Sequence, residues 1–259
     1  MSDQIAKLFL SFSHETIILP FVILGYIWLD RKIFYHAICL VLISMLWNHA
    51  LKVTFRVPMA HSVGKAGFAF PSGHMQLATV IYGWLFTKAS SNVIKAILIG
   101  ILIGIAYSLV HMGYHNYFDI IGALIFAALL LLVYSLFSKQ NVKLQSVIVI
   151  VLASMLMIYS EFMHGIAAHL WMAYYGLIGI IISEQLFASK ISTKTVPAKI
   201  IATVLCFAAL SVIKLLFATG PLALLPAFIG QLQWAMIGFC ITGASFVASY
   251  IAKTSRISS

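Results

Sequence analysis

Residues 93–111 read VIKAILIGILIGIAYSLVH, residues 112–116 read MGYHN, and residues 117–137 read YFDIIGALIFAALLLLVYSLF. Each flanking run has the roughly 17–25 mostly apolar residues that a helix needs to cross hydrocarbon. Only five residues part the two runs, so the first ends and the second begins on one membrane face. The break holds His115 and Asn116, and Asp119 follows in the first turn of the second run.

Working outward, further apolar runs lie near 10–29, 33–51, 74–89, 146–162, 168–187, 199–217 and 228–251, giving nine expected spans. Polar or turn residues divide them, among them Asp30-Arg31-Lys32, Lys88 to Asn92, Ser138 to Asn141, Ser189 to Lys199 and Gly220-Pro221. The 259 residues are 63% hydrophobic and 8% charged, whereas a soluble domain has roughly 25% charged residues. A water-soluble monomer is excluded. The expected fold is all-α, a polytopic helical membrane protein of about nine transmembrane helices, with a catalytic unit over 1–140 and an accessory helical unit over 141–259. Met1 to Leu10 lacks the basic start and small-residue cleavage pattern of a secretory signal, so the first span is expected to stay as an anchor.

The net charge of +10 first suggests nucleic acid, but its placement argues otherwise. With nine spans, Arg31, Lys32, Lys88, Lys95, Lys139, Lys143, Lys190, Lys194, Lys199, Lys253 and Arg256 fall on one face. The positive-inside rule makes that face cytoplasmic. Lys7, Lys52, Arg56, Lys65 and Lys214 then face outward, and no nucleic-acid partner is expected. Cys39, Cys206 and Cys240 stand within apolar runs without metal-ligand spacing, so they read as packing residues.

Histidine is sorted by side. His14, His49, His61, His74, His111, His115, His164 and His169 lie at outward ends or breaks, and His36 does not. Individually, His14, His61 and His169 read as interfacial residues, and Glu161, His164, His111 and Lys65 as accessory candidates.

Three clusters carry the chemistry. Phe70-Pro71-Ser72-Gly73-His74 opens the third span. Proline suits a first helical turn, and the free N–H groups there bind an anion with help from the helix dipole. His74 stands beside that turn, positioned to protonate a leaving oxygen. The second cluster is His115 with Asp119 four residues on, a spacing that puts both on one helix face. Asp119 would fix the His115 tautomer and leave its other nitrogen nucleophilic. A capping role would also explain Asp119 by itself. Lys52, followed by Arg56 and Lys65, forms the third cluster, a source of cations for phosphate oxygens. All three meet on one face only if the span count is right.

These residues resemble the type 2 phosphatidic acid phosphatase superfamily, whose pattern is Lys, six residues, Arg-Pro; then Pro-Ser-Gly-His; then Ser-Arg, five residues, His, three residues, Asp. The likeness covers about 45–130: Pro71 to His74 match fully, Ser108, His115 and Asp119 match in order and spacing, and Lys52 holds the first position. It implies that His115 attacks phosphorus, Asp119 orients it, His74 protonates the leaving group, and Lys52, Ser72, Gly73 and Ser108 bind phosphate, without metal or cofactor. Met59-Ala60 and Leu109 replace the family's Arg-Pro and second arginine; Arg56 or Lys65 is the expected substitute. A lipid phosphatase with an outward site in a bacterial inner (plasma) membrane, facing the periplasm, is the expectation. A site with fewer cations also suits a monoanionic diester, so a sphingomyelin-synthase-like phosphotransferase is the alternative, and an inactive lipid- or partner-binding member the second alternative.

Overall fold

A computed structural model describes residues 2–59, 67–138, 141–193, 195–219 and 227–254. The helices are α1 (Asp3–Ser11), α2 (Glu15–Trp28), α3 (Arg31–Phe55), α4 (Gly73–Lys88), α5 (Asn92–His111), α6 (Tyr117–Phe137), α7 (Val142–His164), α8 (Ala168–Phe187), α9 (Val196–Ala218), the short α10 (Ala227–Gly230) and α11 (Leu232–Thr254). Among the described residues there is no strand, only one isolated bridge between Pro58 and Phe68. The chain is an all-helical integral membrane protein.

Polar side chains set the helix starts. Ser72 and Ser91 accept the amides of Met75 and Ile94 at 3.4 and 3.5 Å, satisfying donors that the first turn leaves open. Asn116 and Asp119 form a reciprocal capping box at α6. Asn141 accepts the Lys143 amide at 2.9 Å to open α7, and Gly165, at φ 89°, closes it.

One sequence expectation changes. The span expected at 10–29 is broken: α1 and α2 meet at 45°. The hydroxyls of Ser11 and Ser13 donate to the carbonyls of Leu8 and Leu10, local bonds that compete with the helix ladder. The count of nine is not confirmed by helix length and composition among the described residues. Seven helices are long and apolar enough to cross a membrane, and the α1–α2 pair makes eight if it is one span. The expected span at 74–89 is α4, with 16 residues. At 1.5 Å per residue that is about 24 Å, short of the ~30 Å hydrocarbon core.

By contact the chain forms two compact units, residues 1–22 with 35–166 and residues 23–34 with 167–259. In the first, α4 is the inner helix, packed against α5 and α6, with Met75 to Tyr82 and Trp84 all buried. α5 and α6 turn Ile99, Ile103, Ile121, Ile125 and Leu132 outward, as helix faces in hydrocarbon do. In the second unit α8 packs on α9's neighbour α11 at backbone range: a Cβ on Gly179 would lie 2.0 Å from the Ala235 carbonyl oxygen, and one on Gly238 2.3 Å from that of Gly176. Small residues at such a crossing let two membrane helices approach closely. The same unit buries Glu184, which accepts the Tyr26 hydroxyl at 2.8 Å, with Thr242 Oγ1 at 3.4 Å and Arg31 Nε at 3.8 Å.

Candidate active site

The start of α6 builds the centre of the site. His115 Nδ1 lies 3.1 Å from Asp119 Oδ2, and the two side chains are 5% and 3% exposed. A carboxylate only accepts, so the Nδ1–H donates and Nε2 keeps its lone pair. The same Oδ2 accepts the Asn116 amide at 3.2 Å, while Asn116 Oδ1 takes the Asp119 amide at 2.9 Å. Capping and orientation, alternatives in the sequence, are one arrangement.

His115 reaches this place because α5 ends in a reversal. Gly113 takes φ 68°, a conformation that glycine adopts without Cβ strain. The amides of Tyr114 and His115 then fold back onto the Leu109 carbonyl at 3.0 and 3.2 Å. Burial holds the His115 imidazole below its ordinary pKa, and the Lys52 charge adds to this, against the pull of Asp119.

The Pro71 to His74 turn is bonded to this centre. The Ser72 amide donates to the Asp119 carbonyl at 3.2 Å. Behind the turn, Asn48 Nδ2 donates to the Pro71 carbonyl at 3.3 Å and to Gln76 Oε1 at 3.0 Å, and Gln76 Nε2 reaches the Ser44 carbonyl at 3.3 Å. A Cβ on Gly73 would stand 3.1 Å from Asn48 Oδ1. The ring of Phe70 fills the space in which a Cβ on Gly122 of α6 would lie, 2.2 Å away. Asn48 and Gln76, which pin the turn, escaped the sequence reading. The signal for them was present: Asn48 is four residues before Lys52, and Gln76 two after His74, each polar within an apolar run.

The cations are placed unevenly. Lys52, in the last turn of α3, donates to the Phe68 carbonyl and to that of Ala69 at 3.4 Å. Its charge acts on both His115 and Asp119. Arg56, at φ 51°, gives Nε to the Val53 carbonyl at 3.1 Å and Nη2 to that of Met163 at 3.0 Å. Leu109, where the family pattern has an arginine, is fully buried. Lys65 and His61 lie outside the described residues.

Ser108 is fully buried and its hydroxyl donates to the Gly104 carbonyl at 2.6 Å. His111 pairs with Asp3 at 3.0 Å and stacks on Tyr107. The His164 ring packs on Phe68 at 5.3 Å, and Glu161 is exposed, its carbonyl closing α7 onto Gly165. His74 is exposed at the amino end of α4. Among the described residues no group of three or more His, Cys, Asp or Glu is arranged to hold a metal ion.

A buried His–Asp pair is thus hydrogen-bonded to a helix amino end that bears a second histidine. The PAP2 superfamily model matches residues 32–143, which hold all three clusters. Over this segment the chain is similar to the PAP2 superfamily, and that likeness supports phosphatase-type phosphoryl transfer in general. No curated protein and no solved structure matches the chain.

Proposed function

We propose that the protein is a membrane lipid phosphatase, acting on a lipid phosphate or diphosphate at the extracytoplasmic face through a phosphohistidine. The observation that carries this reading is the 3.1 Å contact of His115 Nδ1 with Asp119 Oδ2, in the residue whose carbonyl receives the Ser72 amide. Nucleophile and anion-binding turn share one bond network.

His115 Nε2 attacks phosphorus while the ester P–O bond breaks, and His74 gives a proton to the leaving oxygen. Lys52 and the positive amino end of the α4 dipole neutralise the phosphate oxygens as charge shifts. Water then cleaves the N–P bond, its proton passing to His74, and inorganic phosphate leaves. Tyr117 and Phe118, 71% and 79% exposed beside His115, suit an aromatic rim at the membrane interface, next to which a lipid headgroup lies. The sorting of basic residues supports an outward site.

The test is phosphate release by purified protein in detergent from a panel of lipid mono- and diphosphates, with mass spectrometry of any lipid formed from a phosphodiester donor and an acceptor. Free phosphate that requires His115 and His74 supports the phosphatase. A new phospholipid without free phosphate would instead favour the transferase, a reading supported by Leu109 and by the two carbonyls that engage Arg56. Neither product from either panel would leave a binding protein.

A further inference from the structure

Next to His74 stands a histidine from outside the motifs. The ring centroids of His14 and His74 are 5.5 Å apart with planes inclined at 51°, and both residues are exposed. His14 lies in the break between α1 and α2, and that break is held on several sides. The Tyr82 hydroxyl of α4 donates to the Phe12 carbonyl at 2.7 Å. Ser13 is 1% exposed, its hydroxyl on the Leu10 carbonyl at 2.7 Å. One turn back, the Phe9 ring sits where a Cβ on Gly104 of α5 would come within 2.2 Å. The imidazole is therefore presented by a fixed turn.

We propose that His14 binds the leaving group, and that this leaving group is itself a phosphate, so that the substrate is a diphosphate monoester. The inference rests on the phosphohistidine reading above. If His74 protonates the leaving oxygen, whatever is attached to that oxygen lies beside His74, where His14 is. An alcohol would bring carbon to that place, for which an imidazole is a poor partner. A phosphate brings anionic oxygens, which an N–H donor stabilises by a charge-assisted hydrogen bond. Two neighbouring imidazoles also supply donors on the leaving side of a site where Met59 and Leu109 supply no cation.

In this scheme His115 Nε2 bonds to the terminal phosphorus and the bridging P–O bond breaks. Its electron pair stays on the bridging oxygen, which takes the His74 proton. The lipid monophosphate leaves, its non-bridging oxygens held by His14. Water opens the N–P bond, His74 regains a proton, and inorganic phosphate departs. The sum is lipid diphosphate plus water giving lipid monophosphate plus phosphate.

The experiment compares kcat/KM for phosphate release from farnesyl diphosphate and from a short-chain phosphatidic acid, using the full chain in detergent. In His14→Ala the ratio of diphosphate to monoester falls about tenfold, the size of one lost hydrogen bond to a charged group, and His14→Lys restores it. A merely structural role for His14 would lower both substrates together, so an unchanged ratio in His14→Ala overturns the assignment. His115-dependent release from the monoester keeps the parent reading standing in that event. Release from neither substrate, or release that survives His115→Ala, removes both.

Discussion

One carboxylate oxygen, Asp119 Oδ2, accepts from the His115 ring and from the Asn116 amide. Replacing Asp119 with Asn keeps an acceptor but brings in a donor that can favour the wrong imidazole tautomer. Turnover should fall by about 10²–10⁴, with a lowered unfolding temperature because the capping box is weakened. His115→Ala should abolish turnover altogether; normal turnover in that folded variant would refute the mechanism. Acidity offers a second check on the same residue. Because burial and Lys52 hold the imidazole below its ordinary value, about 6.5, His115 stays neutral at pH 7 and loses its lone pair only as pH falls through that lowered value. The acid limb of kcat/KM should lie below pH ~6.5 and move upward in Lys52→Ala. Arg56→Ala should cost far more activity than Lys7→Ala if the guanidinium also reaches phosphate, and equal small effects would refute that role.

Between elements, the contacts that matter are made at glycines. Phe70 precedes the Pro71 to His74 turn and rests on Gly122 of α6, so Gly122→Leu must displace the ring and with it the turn. We expect a loss of about tenfold or more in kcat/KM, comparable to the cost of overpacking, without loss of helical content by circular dichroism. Gly179→Val meets backbone rather than a movable side chain, so α8 and α11 must part and the protein should unfold at a lower temperature. The helix starts were legible in the sequence because Ser72, Ser91, Asn116 and Asn141 mark them with hydroxyl or amide acceptors. The α1–α2 break was marked in the sequence but read through as one span. Its residues, Ser11 to His14, continue into Glu15 and Thr16 as a polar stretch within the run expected at 10–29, and their serine hydroxyls bond locally to the Leu8 and Leu10 carbonyls.

For the molecule as a whole, the expected orientation has a direct measurement. Tyr117→Cys, at a position 71% exposed, should react in intact cells with a maleimide that cannot cross the membrane, against the buried Cys39 and Cys206; protection until the membrane is opened would reverse the sidedness. Hydropathy and motif spacing made the membrane class and the His115–Asp119 pair readable. They did not reveal that Asn48 meets Gln76 or that His14 meets His74, since those contacts are made by packing between elements distant in the sequence. The way the two units divide the chain has its own bearing on biosynthesis. Residues 23–34 belong with residues 167–259, so Tyr26 leaves the ribosome 158 residues ahead of Glu184, the acid that takes its hydroxyl. Trp28, whose indole donates to Thr203 at 2.9 Å, waits longer still. While α3 to α7 are being made, the carboxyl end of α2 has polar groups whose partners do not yet exist. The nascent chain must keep them at the membrane surface or beside the translocation machinery until α8 and α9 emerge to receive them.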